Sequence, residues 1–167
     1  MRIGIVSDSH GHADRLRAAL QALQDAGAEV IVHCGDLGSV QCLALLGETH
    51  LPCYAVAGNM DRHVAGLAEA ADLHAVHFDE KMVHMPVGDG RELAVTHGND
   101  AAVLRQVIES GRFAYVCCGH SHRFSDIRAG DIRLINPGAL HNCRSYTAAV
   151  LDSATDELRM IPVVINA

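Results

Sequence analysis

The sequence lacks several features that would indicate a membrane protein or a secreted, disulfide-linked protein. It has no run of about 18 apolar residues, the length that a membrane-spanning helix needs. Its six cysteines form no C-x-x-C pair and lie mostly in apolar runs, which favours reduced, buried thiols. The apolar stretch at the amino terminus is too short for a signal peptide. We therefore expect a soluble globular protein that resides in the cytoplasm and has no membrane partner.

Basic residues are also few, and they are scattered along the chain. Thirteen Lys and Arg residues stand against twenty Asp and Glu residues, which gives a net charge of −7. Proteins that bind long nucleic acids neutralise many phosphates with a basic surface, so this composition argues against such a partner. An acidic protein can still bind a small phosphate ester where bound cations supply positive charge, and its twelve histidines are potential metal ligands.

The first third of the chain repeats a pattern of strand, polar loop and helix. Apolar runs predict buried strands at residues 2–7, 29–34 and 53–57. Periodic leucines predict helices over residues 13–26 and 40–46. A polar segment follows each strand, at about the interval of one βα unit. Because parallel strands place their carboxyl ends at one edge of a sheet, these polar segments are expected to converge.

The remainder of the chain gives a different pattern. A glycine-rich turn at residues 88–90 predicts a hairpin, and a helix is expected over residues 100–109. Residues 62–80 are hard to interpret, and we expect a helix near 64–71. Later segments predict the antiparallel end of a second sheet, with strands at residues 126–128, 131–135, 146–151 and 158–164. No linker or repeat is evident, so residues 1–167 are expected to form one domain.

Residues of metal-binding types follow the predicted strands. Gly119 permits the sharp bend that would direct His120 and His122 at a common centre. Alone, this pair is as consistent with a solvated loop as with a metal site. Other strand ends supply similar residues, and the whole set is Asp8, His10, Asp36, Asn59, His97, His120 and His122. Seven oxygen and nitrogen ligands exceed what one four-coordinate ion needs and suit a pair of ions, and the absence of thiolate favours Mn²⁺, Fe, Zn²⁺ or Ni²⁺.

The order Asp-x-His, Gly-Asp, Gly-Asn, His, Gly-His-x-His resembles that of the calcineurin-like metallophosphoesterases. The segment Asn136-Pro137-Gly138 is also similar to the small YfcE-like phosphodiesterase branch. The resemblance implies an α/β (α+β) fold, a four-layer αββα sandwich in which helices flank two mixed sheets. It further implies a hydrolase of phosphodiesters, or of small phosphomonoesters, in which a hydroxide bridging two metal ions attacks phosphorus. The substrate would be a small phosphate ester.

The same resemblance implies a role for each residue of the set. The ligands of one metal would be Asp8, His10, Asp36 and His122. The ligands of the other would be Asp36, Asn59, His97 and His120, so that Asp36 bridges the two ions. Two divalent ions are implied, with Mn²⁺ expected and Fe, Zn²⁺ or Ni²⁺ as alternatives. The expected catalytic residues are Asp36, Asn59 and His97, and the candidate substrate contacts are Asp61, Arg62 and His63.

The sequence departs from the family pattern at Met60. Many calcineurin-like enzymes have a histidine there that is held to protonate the leaving group, whereas a thioether has no proton to give. His63 is a candidate replacement. Arg62, Arg123 and Arg144 are candidate phosphate contacts, although an exposed arginine is commonly just solvated.

Two other functions compete with the enzyme hypothesis. A non-catalytic protein-binding scaffold, like the retromer subunit with this fold, would be expected to have lost a ligand histidine, and all seven ligand candidates are present here. A regulatory phosphate sensor would bind metal and phosphate without turnover. The sequence leaves open the substrate, the native metal and the oligomeric state, a homo-oligomer included.

Overall fold

The computed structural model describes residues 1–165, in which the chain forms eleven strands and four helices. The strands are β1 (Arg2–Val6), β2 (Val30–His33), β3 (Cys53–Val56), β4 (Val76–Asp79), β5 (Val83–Pro86), β6 (Glu92–Val95), β7 (Tyr115–Cys117), β8 (Phe124–Ala129), β9 (Ile132–Pro137), β10 (Thr147–Asp152) and β11 (Glu157–Pro162). The helices are α1 (Ala13–Asp25), α2 (Val40–Gly47), α3 (Leu67–Leu73) and α4 (Ala101–Glu109). A short 3-10 helix, Asp61–His63, lies between β3 and α3.

The strands form two mixed sheets. The first has the order β11-β10-β1-β2-β3-β4, and its strands from β1 to β4 are parallel neighbours. The second has the order β5-β6-β7-β9-β8, in which β6, β7 and β9 are parallel. Antiparallel pairs complete one edge of the first sheet, through β10 and β11, and both edges of the second, through β5 and β8.

Side-chain alternation along the strands divides the core into layers. Ile3 and Ile5 of β1 pack between the two sheets, against residues of β6 and β9 such as Leu93 and Ile135. Val6 instead faces the cluster formed by α1, α2 and α3 on the outer face of the first sheet. A smaller cluster under α4, which includes Val107, covers the outer face of the second sheet. The predicted four-layer αββα sandwich is therefore confirmed.

The structure corrects the prediction for the last two strands. We expected them in the second sheet, but β10 pairs antiparallel with β1 in the first sheet, with Ile3 opposite Leu151. Side chains from both faces of β10 are buried, Leu151 between the sheets and Val150 beneath the helices. That burial suits an internal strand, but the local pattern does not identify the strand's partner. A second error concerns residues 62–80, where β4 was missed and α3 begins at Leu67 rather than near residue 64.

The six cysteines are all free thiols; four are buried, while Cys118 and Cys143 are half-buried. Burial raises the pKa of Cys118 to about 11, so this thiol stays protonated near neutral pH. Within residues 1–165, no helix has both the length and the hydropathy required to cross a bilayer.

Candidate metal centre

The seven predicted ligands all lie just beyond the carboxyl ends of parallel strands. Asp8, Asp36 and Asn59 follow β1, β2 and β3 of the first sheet, whereas His97 and the His120–His122 segment follow β6 and β7 of the second. Backbone hydrogen bonds join these loops: the N–H of His10 donates to the carbonyl of Asp36 at 2.9 Å, and that of Gly119 to the carbonyl of His97 at 3.0 Å. The topology thus brings residues from distant parts of the sequence to one edge of the sandwich.

The backbone at this edge is held in an uncommon conformation. Five of the seven residues have positive φ, namely Asp8 (56°), His10 (46°), Asp36 (55°), His120 (65°) and His122 (57°). A non-glycine residue in this left-handed region costs about 1–3 kcal/mol and persists only where the surrounding structure fixes it. Such residues cluster at functional sites, which favours a binding role for these loops.

Asp36 lies at the centre of the group. Its Oδ2 atom is 3.4 Å from Nε2 of His10 and 3.4 Å from Nε2 of His97, while its Oδ1 accepts the N–H of Met60 at 2.8 Å. Burial alone would raise the pKa of Asp36, but its contact with His97, the N–H of Met60 and the neighbouring imidazoles outweigh burial and lower the pKa. The carboxylate is therefore ionised at neutral pH and faces two imidazoles.

Asp8 has one satisfied oxygen and one without a partner. Its Oδ2 accepts hydrogen bonds from the Ser7 hydroxyl at 2.6 Å and from the N–H of His120 at 3.1 Å. Its Oδ1 is buried and has no hydrogen-bond partner, although Nε2 of His122 lies 3.2 Å away. The Nε2 atom of His10 is likewise buried without a partner. A buried polar atom left in this state costs about 1–3 kcal/mol, and an ion is one established explanation.

The distances between these atoms fit shared coordination of a cation. Two ligand atoms that each lie about 2.1 Å from one ion, at tetrahedral or octahedral angles, are about 3.0–3.4 Å apart. The separations of 3.2 Å between Asp8 and His122 and 3.4 Å between Asp36 and each of its two histidines fall in this range. The residues present therefore fit divalent metal ions, as the sequence predicts.

His97 has a fixed ring orientation and a fixed tautomer. Its Nδ1 lies 2.7 Å from the carbonyl oxygen of Cys34, and because a carbonyl only accepts, Nδ1 carries the proton. Its Nε2 is therefore free to bind a cation, and this atom lies 3.1 Å from the side-chain oxygen of Asn59. The ring of His120 is adjacent, with its centroid 5.2 Å from that of His97.

Within residues 1–165, two compact groups of possible ligand atoms occur. One consists of Asp8, His10 and His122, and the other of Asp8, Asp36 and His97, with the ligand atoms of each group within 4.8 Å of one another. Asn59 and His120 flank the second group through their contacts with His97. Asp8 belongs to both groups, whereas the resemblance assigns the bridging position to Asp36, whose Oδ2 contacts a histidine of each group.

Residues 1–156 match the sequence profile of the calcineurin-like phosphoesterase superfamily domain. The chain belongs to this superfamily. Phosphodiesterase MJ0936 of Methanocaldococcus jannaschii is 30% identical, and the match spans 96% of this chain and 98% of that protein. The predicted family is therefore confirmed, and with it a phosphoester hydrolase whose family uses divalent metals.

Solved structures agree with this assignment. A novel archaeal phosphodiesterase superposes with a TM-score of 0.85 at 29% identity and covers 97% of this chain and 99% of its own. The E. coli phosphoesterase YfcE superposes with a TM-score of 0.67 at 17% identity and covers 98% of this chain and 100% of its own. At that lower identity the likeness to YfcE shows the fold alone.

Among the three candidate substrate contacts of this phosphoesterase, Asp61 has a different role. Its carboxylate is buried and accepts backbone N–H bonds from Leu37 at 3.0 Å, Gly38 at 2.7 Å and Gly58 at 2.8 Å. These bonds tie the loop after β2 to the loop after β3, so Asp61 holds the loops that present Asp36 and Asn59. Its oxygens are occupied by the backbone, which corrects the prediction of a substrate contact.

Arg62 and His63 remain candidates. Both side chains are exposed, and Arg62 lines a cleft that also includes His97. Met60 is 52% exposed, so the position at which many relatives have a histidine faces solvent beside the site.

Two buried side chains, His33 and Asn136, support the loops that carry the candidate ligands. The Nδ1 atom of His33 accepts the N–H of Gly35 at 3.2 Å, so its Nε2 carries the proton and donates to Ser9 at 2.9 Å. Burial lowers the pKa of His33 to about 4, and the ring is neutral. Asn136 donates to the carbonyl of Gly119 at 2.6 Å and thereby braces the loop of His120 and His122. The Asn-Pro-Gly motif was the only signal for that support.

Proposed function

We propose that the protein is a phosphodiesterase that binds two divalent metal ions, Mn²⁺ in the first instance, with Fe, Zn²⁺ or Ni²⁺ as alternatives. The proposed ligands of one ion are Asp8, His10, Asp36 and His122. Those of the other are Asp36, Asn59, His97 and His120. The observation that carries the proposal is the pair of carboxylates, Asp8 and Asp36, each of which has an oxygen 3.2–3.4 Å from an imidazole nitrogen. The Oδ1 atom of Asp8 and the Nε2 atom of His10 are buried without a hydrogen-bond partner. The confirmed family and its phosphodiesterase relative support the same reaction.

When bound, two such ions supply an activated water and positive charge for the phosphate oxygens. The residues of the chain prepare the site for that chemistry. Asp36 is ionised, and one of its oxygens lies between His10 and His97, which would allow it to contact both proposed ions. Asn59 contributes a neutral amide oxygen, so the site retains positive charge toward an anionic substrate. The carbonyl of Cys34 keeps the Nε2 lone pair of His97 directed at the centre.

The complete set of seven candidate ligands favours this enzyme over a protein-binding scaffold. We also propose a small phosphate ester, rather than a long nucleic acid, as the substrate, because the net charge of −7 disfavours a polyanion. The cytoplasm is the proposed location.

The experiment that tests the proposal loads metal-free protein with Mn²⁺ and measures hydrolysis of bis(p-nitrophenyl) phosphate and of p-nitrophenyl phosphate. We expect turnover of the diester, loss of that turnover on chelation, and recovery on addition of Mn²⁺. Elemental analysis of the same sample should find two ions per chain. Absence of diester hydrolysis with every one of the four metals, in protein that is folded, would overturn the proposal.

A further inference from the structure

Two clefts with different chemistry open onto the candidate metal centre. One has a volume of about 530 Å³ and is lined in part by Gly58 and His97. The other has a volume of about 670 Å³ and is lined in part by His120 and His122. The two share no lining residue, yet the rings of His97 and His120 are only 5.2 Å apart. A phosphate held between these histidines therefore has a separate cleft available for each of two ester arms.

The cleft beside His120 and His122 carries positive charge and has no carboxylate in its lining. It is lined by Arg123 and Arg144 and by no aspartate or glutamate. Its uncharged polar side chains include Asn142 and Ser145. Among the described residues, neither arginine has an ion pair or a side-chain hydrogen bond.

Half of the ten other arginines have a carboxylate partner. The arginines that form ion pairs with carboxylates are Arg17, Arg91, Arg112, Arg128 and Arg133. Pairing is expected in a chain in which acidic residues outnumber basic ones by twenty to thirteen. What distinguishes Arg123 and Arg144 from the other arginines without an ion pair is that the two line one cleft together, next to two candidate metal ligands.

The cleft beside His97 has the opposite character. Its lining contains the exposed carboxylates of Glu69, Glu80 and Asp100, against the two cations of Arg62 and Lys81. Asp61 also lines it, but its buried carboxylate is occupied by backbone N–H groups. Leu67 and Phe78 give it apolar surface. Because the carboxylates outnumber the cations, this cleft disfavours an anionic group and suits an uncharged one.

We propose that the cleft formed by Arg123 and Arg144 binds a second phosphate, a monoester carried on one ester arm of the substrate. The uncharged arm occupies the cleft beside His97. A guanidinium group binds phosphate through two parallel N–H bonds, and two such groups match the oxygens of a phosphate monoester. The inference rests on the proposed phosphodiesterase function and specifies its substrate class as a diester with one anionic and one uncharged arm.

Two substrates that differ only in a remote phosphate test this assignment. The first is thymidine 5′-(p-nitrophenyl phosphate), and the second carries an additional phosphate on the 3′ oxygen. Both release p-nitrophenol, so their leaving groups are identical. With the Mn²⁺-loaded enzyme we expect a KM about tenfold lower for the second substrate, as one charge-assisted contact supplies. In the Arg123→Gln/Arg144→Gln double variant, the two KM values should become equal.

The control is Arg105→Gln, which removes the same charge from an exposed position on α4 outside both clefts. It should retain the tenfold preference. The single variants Arg123→Gln and Arg144→Gln remove the same charge within the cleft. If the preference fell as far in Arg105→Gln as in each of them, it would reflect net charge, and the assignment to this cleft would be overturned. Equal KM values in the wild type would also overturn it, while the hydrolysis itself would leave the phosphodiesterase proposal intact.

A binding measurement separates the inference from the reaction. Calorimetric titration of the Mn²⁺-loaded protein with thymidine 3′,5′-bisphosphate and with thymidine 5′-monophosphate should show tighter binding of the bisphosphate, and the double variant should lose the difference. If that preference is present but neither ester is hydrolysed, the cleft is supported and the proposed function is overturned. If both titrations and both assays are negative, the two proposals fail together.

Discussion

The Oδ2 atom of Asp36 lies 3.4 Å from the Nε2 atom of His97. The same oxygen is 3.4 Å from Nε2 of His10, so one carboxylate faces both halves of the candidate metal centre. Replacing Asp36 by Asn removes the charge and exchanges one oxygen for an N–H donor. We expect Asp36→Asn to lose both ions, whereas His10→Ala should lose only the ion on its own side.

Elemental analysis after saturation with Mn²⁺ and removal of free metal measures this difference. Asp72→Asn, which removes an exposed carboxylate from α3, is the matched control and should retain two ions per chain. If Asp36→Asn retained both ions, Asp36 would not bridge them. Asp8, which belongs to both compact ligand groups, would then be the better candidate for that role.

Asp61 should be a stability residue rather than a substrate contact. Asp61→Ala leaves three backbone N–H groups without their acceptor, those of Leu37, Gly38 and Gly58. Hydrogen bonds to a charged group contribute about 1.5–3 kcal/mol each, and water that enters the space left by the removed carboxylate can satisfy part of the loss, so we expect a loss of about 2–4 kcal/mol in the free energy of unfolding. Urea unfolding of metal-free protein measures the loss. A variant with unchanged stability and a raised KM would instead restore the role of substrate contact.

His33 makes the stability of the metal-free protein depend on pH. Burial lowers its pKa to about 4, against about 6.5 in an unfolded chain. The unfolded state therefore takes up a proton first as the pH falls. The contribution of neutral His33 to the free energy of unfolding is present in full above pH 6.5 and is lost as the pH falls from about 6.5 to about 4. Over that window it amounts to about 3 kcal/mol, from 1.36 kcal/mol per pKa unit.

The measurement compares urea unfolding from pH 7.5 to pH 4 in the wild type and in His33→Gln, whose amide keeps a donor toward Ser9. We expect a shallower loss of stability in the variant across this window. His77→Gln, which removes an exposed histidine on β4, should follow the wild-type curve. Parallel curves for the wild type and His33→Gln would mean that His33 is not buried in its neutral form.

The sequence predicts the four-layer fold and the convergence of the candidate ligands, but it does not predict the partner of every strand. Strands that end in Asp8, Asp36 and Asn59 carry their own local signals, and parallel topology makes their convergence a geometric consequence. The partner of β10 has no such local signal, because its pairing with β1 joins Ile3 to Leu151 across nearly the whole chain. Each sheet contains apolar strands that could pair with β10, and the alternation of side chains along β10 would be the same with either partner.

Asp61 illustrates a second limit of the sequence. An aspartate two residues after Asn59 can be a ligand, a substrate contact or a hydrogen-bond acceptor for loops, and residue type does not separate these roles. Three N–H groups from two different loops favour the role of hydrogen-bond acceptor, and two of these groups lie more than twenty positions before Asp61 in the chain. Loop-to-loop hydrogen bonds of this kind depend on the assembled sandwich, which is why the sequence alone does not assign this role to Asp61.

The last prediction concerns the leaving group and follows from Met60. Its side chain is 52% exposed beside the site and has no proton to donate, at a position where many relatives carry a histidine. General acid catalysis typically contributes 10² to 10⁴ in rate, about 3–5 kcal/mol of barrier, and matters most for poor leaving groups. We therefore expect a steep dependence of rate on leaving-group pKa, with aryl diesters such as bis(p-nitrophenyl) phosphate hydrolysed far faster than alkyl diesters.

The measurement is a series of aryl and alkyl diesters assayed with the wild type, Met60→His and His63→Ala. Met60→His should accelerate the alkyl members selectively, and His63→Ala should leave the slope unchanged. A flat series in the wild type that steepens in His63→Ala would refute the absence of an acid and identify His63, exposed at the end of the 3-10 helix, as the proton donor.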